Sequence, residues 1–83
     1  MYFIVAGDVL MQKGERILKT LHSGEYFGEI SMLLNTPFAN SAVAVSNGTQ
    51  VIGIPKKNFL EILSLDAEIV SKFLKDMAAK ISD

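Results

Sequence analysis

The amino-acid sequence predicts a mainly β domain, a sandwich or barrel, that is followed by helices. Over the first two thirds of the chain, short segments rich in aromatic and β-branched residues alternate with turns that contain glycine. After Pro55 the spacing of apolar residues changes from about 2 to about 3.6, which is the period of an α-helix. The 83 residues suffice for one small domain or for part of one.

Composition and charge exclude several classes of function. The chain is 49% hydrophobic with a net charge of −1, which indicates a folded domain and no basic surface for nucleic acid. Cysteine is absent, so disulfides and thiol chemistry are excluded and a cytoplasmic location is expected. No apolar run approaches the roughly 20 residues of a membrane span. With one histidine and no paired acidic residues at ligand spacing, we expect neither an enzyme nor a metal site.

The first strands are predicted from the "MYFIVA", "VLMQ" and "RILKTL" segments. Gly7-Asp8 fits a two-residue type II′ turn, which would join the first two strands as a hairpin. Gly14 in "KGER" marks a second turn. A strand at the very start of the chain indicates that sequence upstream is missing.

The middle of the chain combines a short helix with two further strands. Gly28–Leu34 is long enough for two helical turns, and Pro37 prevents the helix from continuing. "SAVAV" and "QVIGI" read as strands, and Asn47-Gly48 between them predicts a hairpin with a type I′ turn.

Two helices are predicted at the end of the chain. "PKKNFLEIL" is the first, and Asp66 can cap a second that runs through about Ile81. Leu65, Ile69 and Phe73 repeat every four residues and are predicted to pack on the strands.

A second apolar stripe on the last helix follows the 3-4 spacing of helices that pack on one another. It predicts a homodimer interface, with a single wide stripe facing the core as the alternative. The stripe consists of Ala67, Val70, Leu74, Met77 and Ile81.

The segment Gly24–Val43, "GEYFGEISMLLNTPFANSAV", is the candidate binding site. The backbone amides of residues 28–30 begin a helix, and the positive end of a helix can face an anion. However, no arginine or lysine lies between Lys19 and Lys56, so the segment has no cation of its own.

The order of these elements resembles the cyclic-nucleotide-binding domain, especially that of the cyclic-AMP receptor protein and fumarate–nitrate regulator (Crp/Fnr) superfamily of transcription regulators. The matching pieces are "YFIVAGDV", "LHSGEYFGEISMLLNTPFANSAVAV", "VIGIPKKNFLEIL" and the final helix. The resemblance implies a truncated, cupin-like jelly roll (a double-stranded β-helix) over residues 1–64 and a dimerisation helix over residues 65–83. It also implies that a first helix, the first strands and a DNA-binding domain are missing from this chain.

In the resembling family, Gly24–Val43 corresponds to the phosphate-binding cassette, and we call it the cassette segment. The glutamate at the position of Glu29 accepts a hydrogen bond from the ribose, and an arginine after the proline pairs with the cyclic phosphate. Phe38 stands at that arginine position, which costs roughly 1.5–3 kcal/mol of binding free energy. The ligand-binding positions that the resemblance implies are Gly28, Glu29, Ile30, Ser31, Phe38, Ala39, Asn40 and Ser41.

The resulting interpretation is an effector-sensing domain of a Crp/Fnr-type regulator that does not bind cyclic AMP or cyclic GMP tightly. A small-molecule effector at the cassette segment would shift the roll against the last helices, so those two parts must be in contact. DNA would be bound only through a domain absent from this chain. The alternatives are a nucleotide-binding regulatory module of a kinase or channel and a ligand-free interaction scaffold.

No cofactor is expected for this sensor. A haem axial ligand is one interpretation of His22. The other is a surface histidine in the polar turn "HSGE", where no second haem ligand is evident.

Overall fold

The computed structural model describes residues 1–82, and the side chains of residues 1–79. Six strands and three helices occur in the described chain, so the predicted mainly β fold with terminal helices is confirmed. The strands are β1 (Tyr2–Ala6), β2 (Asp8–Lys13), β3 (Arg16–His22), β4 (Tyr26–Phe27), β5 (Ser41–Ala44) and β6 (Gln50–Gly53). The helices are α1 (Glu29–Leu34), α2 (Lys56–Leu65) and α3 (Ala67–Ser82).

The strands form two antiparallel sheets of three strands each. One sheet has the order β4-β1-β6 and the other has the order β3-β2-β5. β1 and β2 follow one another in the chain but lie in different sheets, and the same holds for β5 and β6. The chain therefore crosses repeatedly between two facing sheets, as in a jelly roll.

Two predicted hairpins are wrong for this reason. The turns at Gly7-Asp8 and Asn47-Gly48 do not join paired strands, because the strands on either side of each turn pair with other strands. The two crossings instead pack against each other. A Cβ atom on Gly7 would lie 2.4 Å from Thr49 Oγ1, and the Asp8 amide donates a hydrogen bond of 3.1 Å to Ser46 Oγ. Gly7 therefore permits a close approach of two crossings between the sheets.

The predicted turn at Gly14 does join a hairpin, formed by β2 and β3. The pairing register shifts along this hairpin: Met11 lies opposite Lys19, whereas the next residue, Gln12, lies opposite Ile17. Leu18 is therefore an extra residue on β3, a β-bulge. The bulge determines which β3 side chains point between the sheets.

The core lies between the two sheets. Ile4 is fully buried in the first sheet, and residues from β2, β3 and β4 surround it. Phe3 and Tyr26 lie opposite each other on the other face of that sheet, where they face α2 and α3. The buried core cluster consists of Ile4, Val9, Met11, Leu21 and Phe27.

The two terminal helices pack on the first sheet through aromatic rings. Phe59 of α2 and Phe73 of α3 are buried and meet edge to face, with ring centroids 4.8 Å apart. The Glu68 amide donates to Asp66 Oδ1 over 2.8 Å, which is the predicted cap of α3. None of the described helices is long and apolar enough to cross a membrane.

The predicted core-facing stripe of the last helix is only partly correct. Phe73 is buried, but Ile69 is half-exposed and Leu65 is 84% exposed. Leu65 ends α2, and the extended backbone at Asp66 separates it from α3, so it does not continue the stripe.

The predicted dimer stripe is partly accessible in the described chain. Leu74 and Ala67 are exposed, and Val70 and Met77 are of intermediate exposure. Ile81 lies outside the residues whose side chains are described. The homodimer stays a prediction.

We expect Ile4→Ala to lower the free energy of unfolding by about 2–5 kcal/mol, because it leaves a cavity between the sheets. Val5→Ala is the matched control on the same strand, since Val5 is exposed. In Val5→Ala the free energy of unfolding should fall by no more than about 1 kcal/mol, which is the span of strand propensities. Urea unfolding of both variants measures this, and equal losses would contradict the assignment of Ile4 to the core.

Candidate functional site

The cassette segment folds around α1. Gly28, just before the helix, has a φ of 80°, which a residue with a side chain rarely adopts. Asn35 ends the helix in the left-handed conformation, with a φ of 54°. The chain then runs without regular structure to β5, so the helix lies between the end of β4 and the loop that carries Phe38.

A cavity of about 440 Å³ lies between α1, the Phe38 loop and the inner face of the hairpin of β2 and β3. We call it the cassette cavity. Its volume lies within the range of about 300–1,000 Å³ that is usual for small-molecule sites. Its walls are formed by Met11, Lys19, Leu21, Tyr26, Phe27, Gly28, Glu29, Ile30, Ser31 and Phe38.

Five of the eight predicted ligand-binding positions line this cavity: Gly28, Glu29, Ile30, Ser31 and Phe38. The other three, Ala39, Asn40 and Ser41, are not among its lining residues. After Phe38 the chain turns into β5, where Ser41 pairs with Gln12 on the second sheet. The cavity is therefore built by residues 26–31 and Phe38 of the cassette segment together with side chains of β2 and β3.

Glu29 is the one buried charged residue of the described chain, with 3% of its surface exposed. Among the described residues, no buried side-chain oxygen or nitrogen lacks a hydrogen-bond partner, so its carboxylate is satisfied as the protein stands. A ligand hydroxyl would therefore have to add to or replace a bond that Glu29 already makes.

Aromatic rings form one wall of the cavity. Phe27 is stacked on Tyr2, with centroids 5.3 Å apart, and lies 6.0 Å from Phe38 on its other side. Phe38 is 42% exposed, so it does not fill the interior of the roll. It offers a ring at the mouth of the cavity, where arginine stands in the resembling family.

Lys19 supplies a cation to the cavity that the sequence did not assign to the site. Alternation along β3 places Lys19 on the same face as the core residue Leu21. The sequence does not show that this strand lies beside the cassette segment, because that contact is formed only by the fold. Tyr26 and Leu21 also line the cavity and were not predicted as site residues.

A second cavity, of about 490 Å³, lies between the first sheet and helices α2 and α3. We call it the helix groove. Phe3, Phe59 and Phe73 line its apolar part. Lys19, Leu21 and Tyr26 line both cavities, so the cassette cavity and the helix groove are neighbours with these three side chains between them.

Tyr26 connects the cassette segment to α3. Its hydroxyl donates a hydrogen bond of 3.1 Å to Asp76 Oδ2, and its ring lies 6.0 Å from that of Phe73. Burial, assisted by the bond to the Asp76 carboxylate and by its charge, raises the pKa of Tyr26 well above its ordinary value. The phenol therefore stays protonated as a donor, and the predicted contact between the cassette segment and the last helices is present.

His22 lies outside both cavities. Its ring nitrogen Nδ1 is 2.5 Å from Asp8 Oδ1, and both side chains are exposed. The hydrogen bond raises the pKa of His22 and lowers the pKa of Asp8. The described residues hold no group of three or more side chains able to bind a metal. The structure thus gives His22 a partner across the hairpin and adds no second ligand for haem.

This pair predicts a pH dependence of stability. The pKa of His22 is raised in the folded protein. The contribution of the pair through His22 to the free energy of unfolding is therefore fully present below pH 6.5, the ordinary pKa of histidine, and is lost as the pH rises through the raised pKa. The contribution through Asp8 to the free energy of unfolding is present above pH 3.8, the ordinary pKa of this carboxyl group, and is lost as the pH falls through the lowered pKa.

In Asp8→Asn the pKa of the single histidine should fall towards its ordinary value, because the carboxylate partner is gone. Nuclear magnetic resonance titration of the ring measures it without ambiguity. Glu15→Gln, at the other end of the hairpin, is the control and should leave the titration unchanged. An unchanged pKa in Asp8→Asn would mean that the pair does not form in solution.

Comparison with known proteins identifies the family that the order of elements resembles. The model of the cyclic nucleotide-binding domain family matches residues 1–66. The chain is 32% identical over 62 residues to a cGMP-dependent protein kinase of Plasmodium berghei (strain Anka), which covers 75% of this chain and 7% of the relative. A cGMP-dependent protein kinase of Toxoplasma gondii is 36% identical over 62 residues, covering 75% of this chain and 6% of the relative.

A cAMP-dependent protein kinase regulatory subunit of Mycosarcoma maydis is 31% identical over 84 aligned positions, covering 90% of this chain and 16% of the relative. The chain thus spans a small part of each of these proteins. All three are cyclic nucleotide-dependent kinases or a subunit of one, which fits the kinase alternative better than a Crp/Fnr regulator.

Proposed function

The chain belongs to the cyclic nucleotide-binding domain family, and we propose that it is a regulatory module whose cassette cavity binds a cyclic nucleotide with reduced affinity. The observation that carries the proposal is the cavity itself. Five of the predicted ligand-binding positions line it, and Tyr26, which also lines it, is hydrogen-bonded to α3. A roll kept only as an interaction scaffold would need no such space between its sheets.

The module would act through α3 rather than through catalysis. A ligand in the cassette cavity must contact or displace the side chains shared with the helix groove, and Tyr26 is one of them. Moving Tyr26 alters its hydrogen bond to Asp76 and its packing on Phe73. The position of α3 would then report whether the cavity is filled, and the role would be regulatory and non-enzymatic.

The kinase relatives favour a module that regulates a larger protein of that type. A sensor of a Crp/Fnr regulator would use the same cavity and the same contact with α3, but the three relatives described above are of the kinase class. That version would add a homodimer through Ala67, Val70, Leu74, Met77 and Ile81, and DNA binding through another domain. A cytoplasmic location, expected from the cysteine-free composition, belongs to both versions.

The reduced affinity follows from Phe38. Its ring offers apolar contact area at the mouth of the cavity but no charge for a cyclic phosphate. A charge-assisted hydrogen bond contributes about 1.5–3 kcal/mol, so its loss weakens binding about tenfold or more.

We therefore expect Phe38→Arg to bind cyclic AMP or cyclic GMP about tenfold or more tightly than the unmodified chain. Isothermal titration calorimetry with both nucleotides measures this. Phe38→Leu is the control, because it removes the ring without adding a charge, and it should show no gain. Equal affinities of the arginine and leucine variants would contradict a phosphate site at this position.

Tyr26→Phe should weaken the docking of α3 without a ligand, because it deletes the bond to Asp76 and keeps the ring. Faster amide hydrogen exchange over residues 67–79 is the expected result. Tyr2→Phe makes the same chemical change on β1, which is not hydrogen-bonded to α3 within the described residues, and should leave that exchange unchanged. Similar exchange in both variants would show that Tyr26 does not hold the helix.

A further inference from the structure

We propose that Lys19 is the cation of the cassette cavity and pairs with the phosphate of the bound ligand, in place of the arginine that Phe38 replaces. This inference rests on the proposed function and adds to it the residue that recognises the anionic group. It assigns the role to strand β3, outside the cassette segment.

The register of β2 and β3 gives the face from which the Lys19 side chain leaves the strand. Directly opposite residues of an antiparallel pair share a face of the sheet. Lys19 lies opposite Met11, and Leu21 lies opposite Val9. Val9, Met11 and Leu21 are all core residues with 7% exposure or less. Lys19 therefore leaves β3 on the inner face of the sheet, and its exposed side chain lies at the rim of the cassette cavity.

The β-bulge at Leu18 marks where the apolar inner face of β3 ends. The pairing from Lys19 to His22 is regular, so Lys19 shares the face of Leu21, whereas Ile17 lies opposite Gln12 and is 63% exposed. Lys19 is itself exposed, which places its ammonium group at the rim of the cavity and within reach of solvent. β-Bulges are over-represented next to active sites, which agrees with a binding role for this end of the strand.

The surroundings of Lys19 also suit a phosphate-binding role. Lys19 lines the cassette cavity together with Gly28, Ser31 and Phe38. No hydrogen bond or ion pair joins its side chain to another described residue. Its ammonium group carries three donors and is thus available to a ligand. Among the residues that line the cavity, Lys19 is the one cation.

The chemistry of the cavity then selects the ligand class. A phosphate, with its negative charge, matches Lys19. An aromatic base matches the rings of Phe27 and Phe38, and a sugar hydroxyl matches the carboxylate of Glu29. A point-charge lysine lacks the planar fork of arginine, so it holds a phosphate with less directional precision.

The test compares cyclic GMP with guanosine, which has the same base but no phosphate, by titration calorimetry of the full chain. The unmodified chain should bind cyclic GMP more tightly than guanosine. Lys19→Met should weaken cyclic GMP about tenfold or more and leave guanosine nearly unchanged. Lys19→Arg should retain the preference for cyclic GMP.

The control for net charge is Lys13→Met, which removes an equal charge from the exposed end of β2. Lys13 lines neither cavity, so this variant should bind cyclic GMP like the unmodified chain.

The double variant Lys19→Met with Phe38→Arg separates a charge role from a folding defect. If Lys19 contributes charge, the new arginine should restore binding of cyclic GMP. If cyclic GMP binds equally well to Lys19→Met and to the unmodified chain, the lysine proposal is wrong while the proposed function stands. An equal loss for cyclic GMP and guanosine would also overturn it, because Lys19 would then contact the base or the sugar.

Two further outcomes concern the unmodified chain. If it binds no cyclic nucleotide while Phe38→Arg does, the cavity accepts nucleotides but Lys19 does not replace the arginine. If neither binds cyclic GMP or cyclic AMP, the proposed function fails, and the role of Lys19 fails with it.

Discussion

The hydrogen bond from Tyr26 to Asp76 is the interaction that links the two halves of this molecule. Tyr26 ends the first sheet just before the cassette helix, and Asp76 lies on the last helix. Beside this bond the ring of Tyr26 lies 6.0 Å from that of Phe73, which packs edge to face on Phe59. The tyrosine also lines the cassette cavity, which is why we propose that a ligand there acts on α3.

The charge arrangement of the site differs from the one implied by the family resemblance. The position expected to hold a cation bears an aromatic ring, and a lysine from another strand faces the same cavity. A buried carboxylate, Glu29, remains at the start of α1. The cavity thus offers a positive charge, a negative charge and an aromatic wall, although they come from three different elements.

The sequence predicted those parts of the fold that local signals determine. The glycine turn between β2 and β3, the cap at Asp66 and the helix after Gly28 all depend on neighbouring residues, and all three are present. The hairpins at Gly7 and Asn47 were wrong, because long-range pairing between sheets overrides a favourable local turn. Lys19 was missed for a similar reason, since only the long-range packing of β3 beside the cassette segment brings it to the cavity.

The most direct test of the coupling between cavity and helix is a nuclear magnetic resonance titration of the chain with cyclic GMP. The account predicts that amide signals of residues 28–31 and of residues 72–77 shift together, with one dissociation constant. Both sets lie beside Tyr26, the first in the cassette segment and the second on α3. Shifts confined to residues 28–31 would contradict the coupling, and the absence of shifts in both sets would contradict nucleotide binding itself.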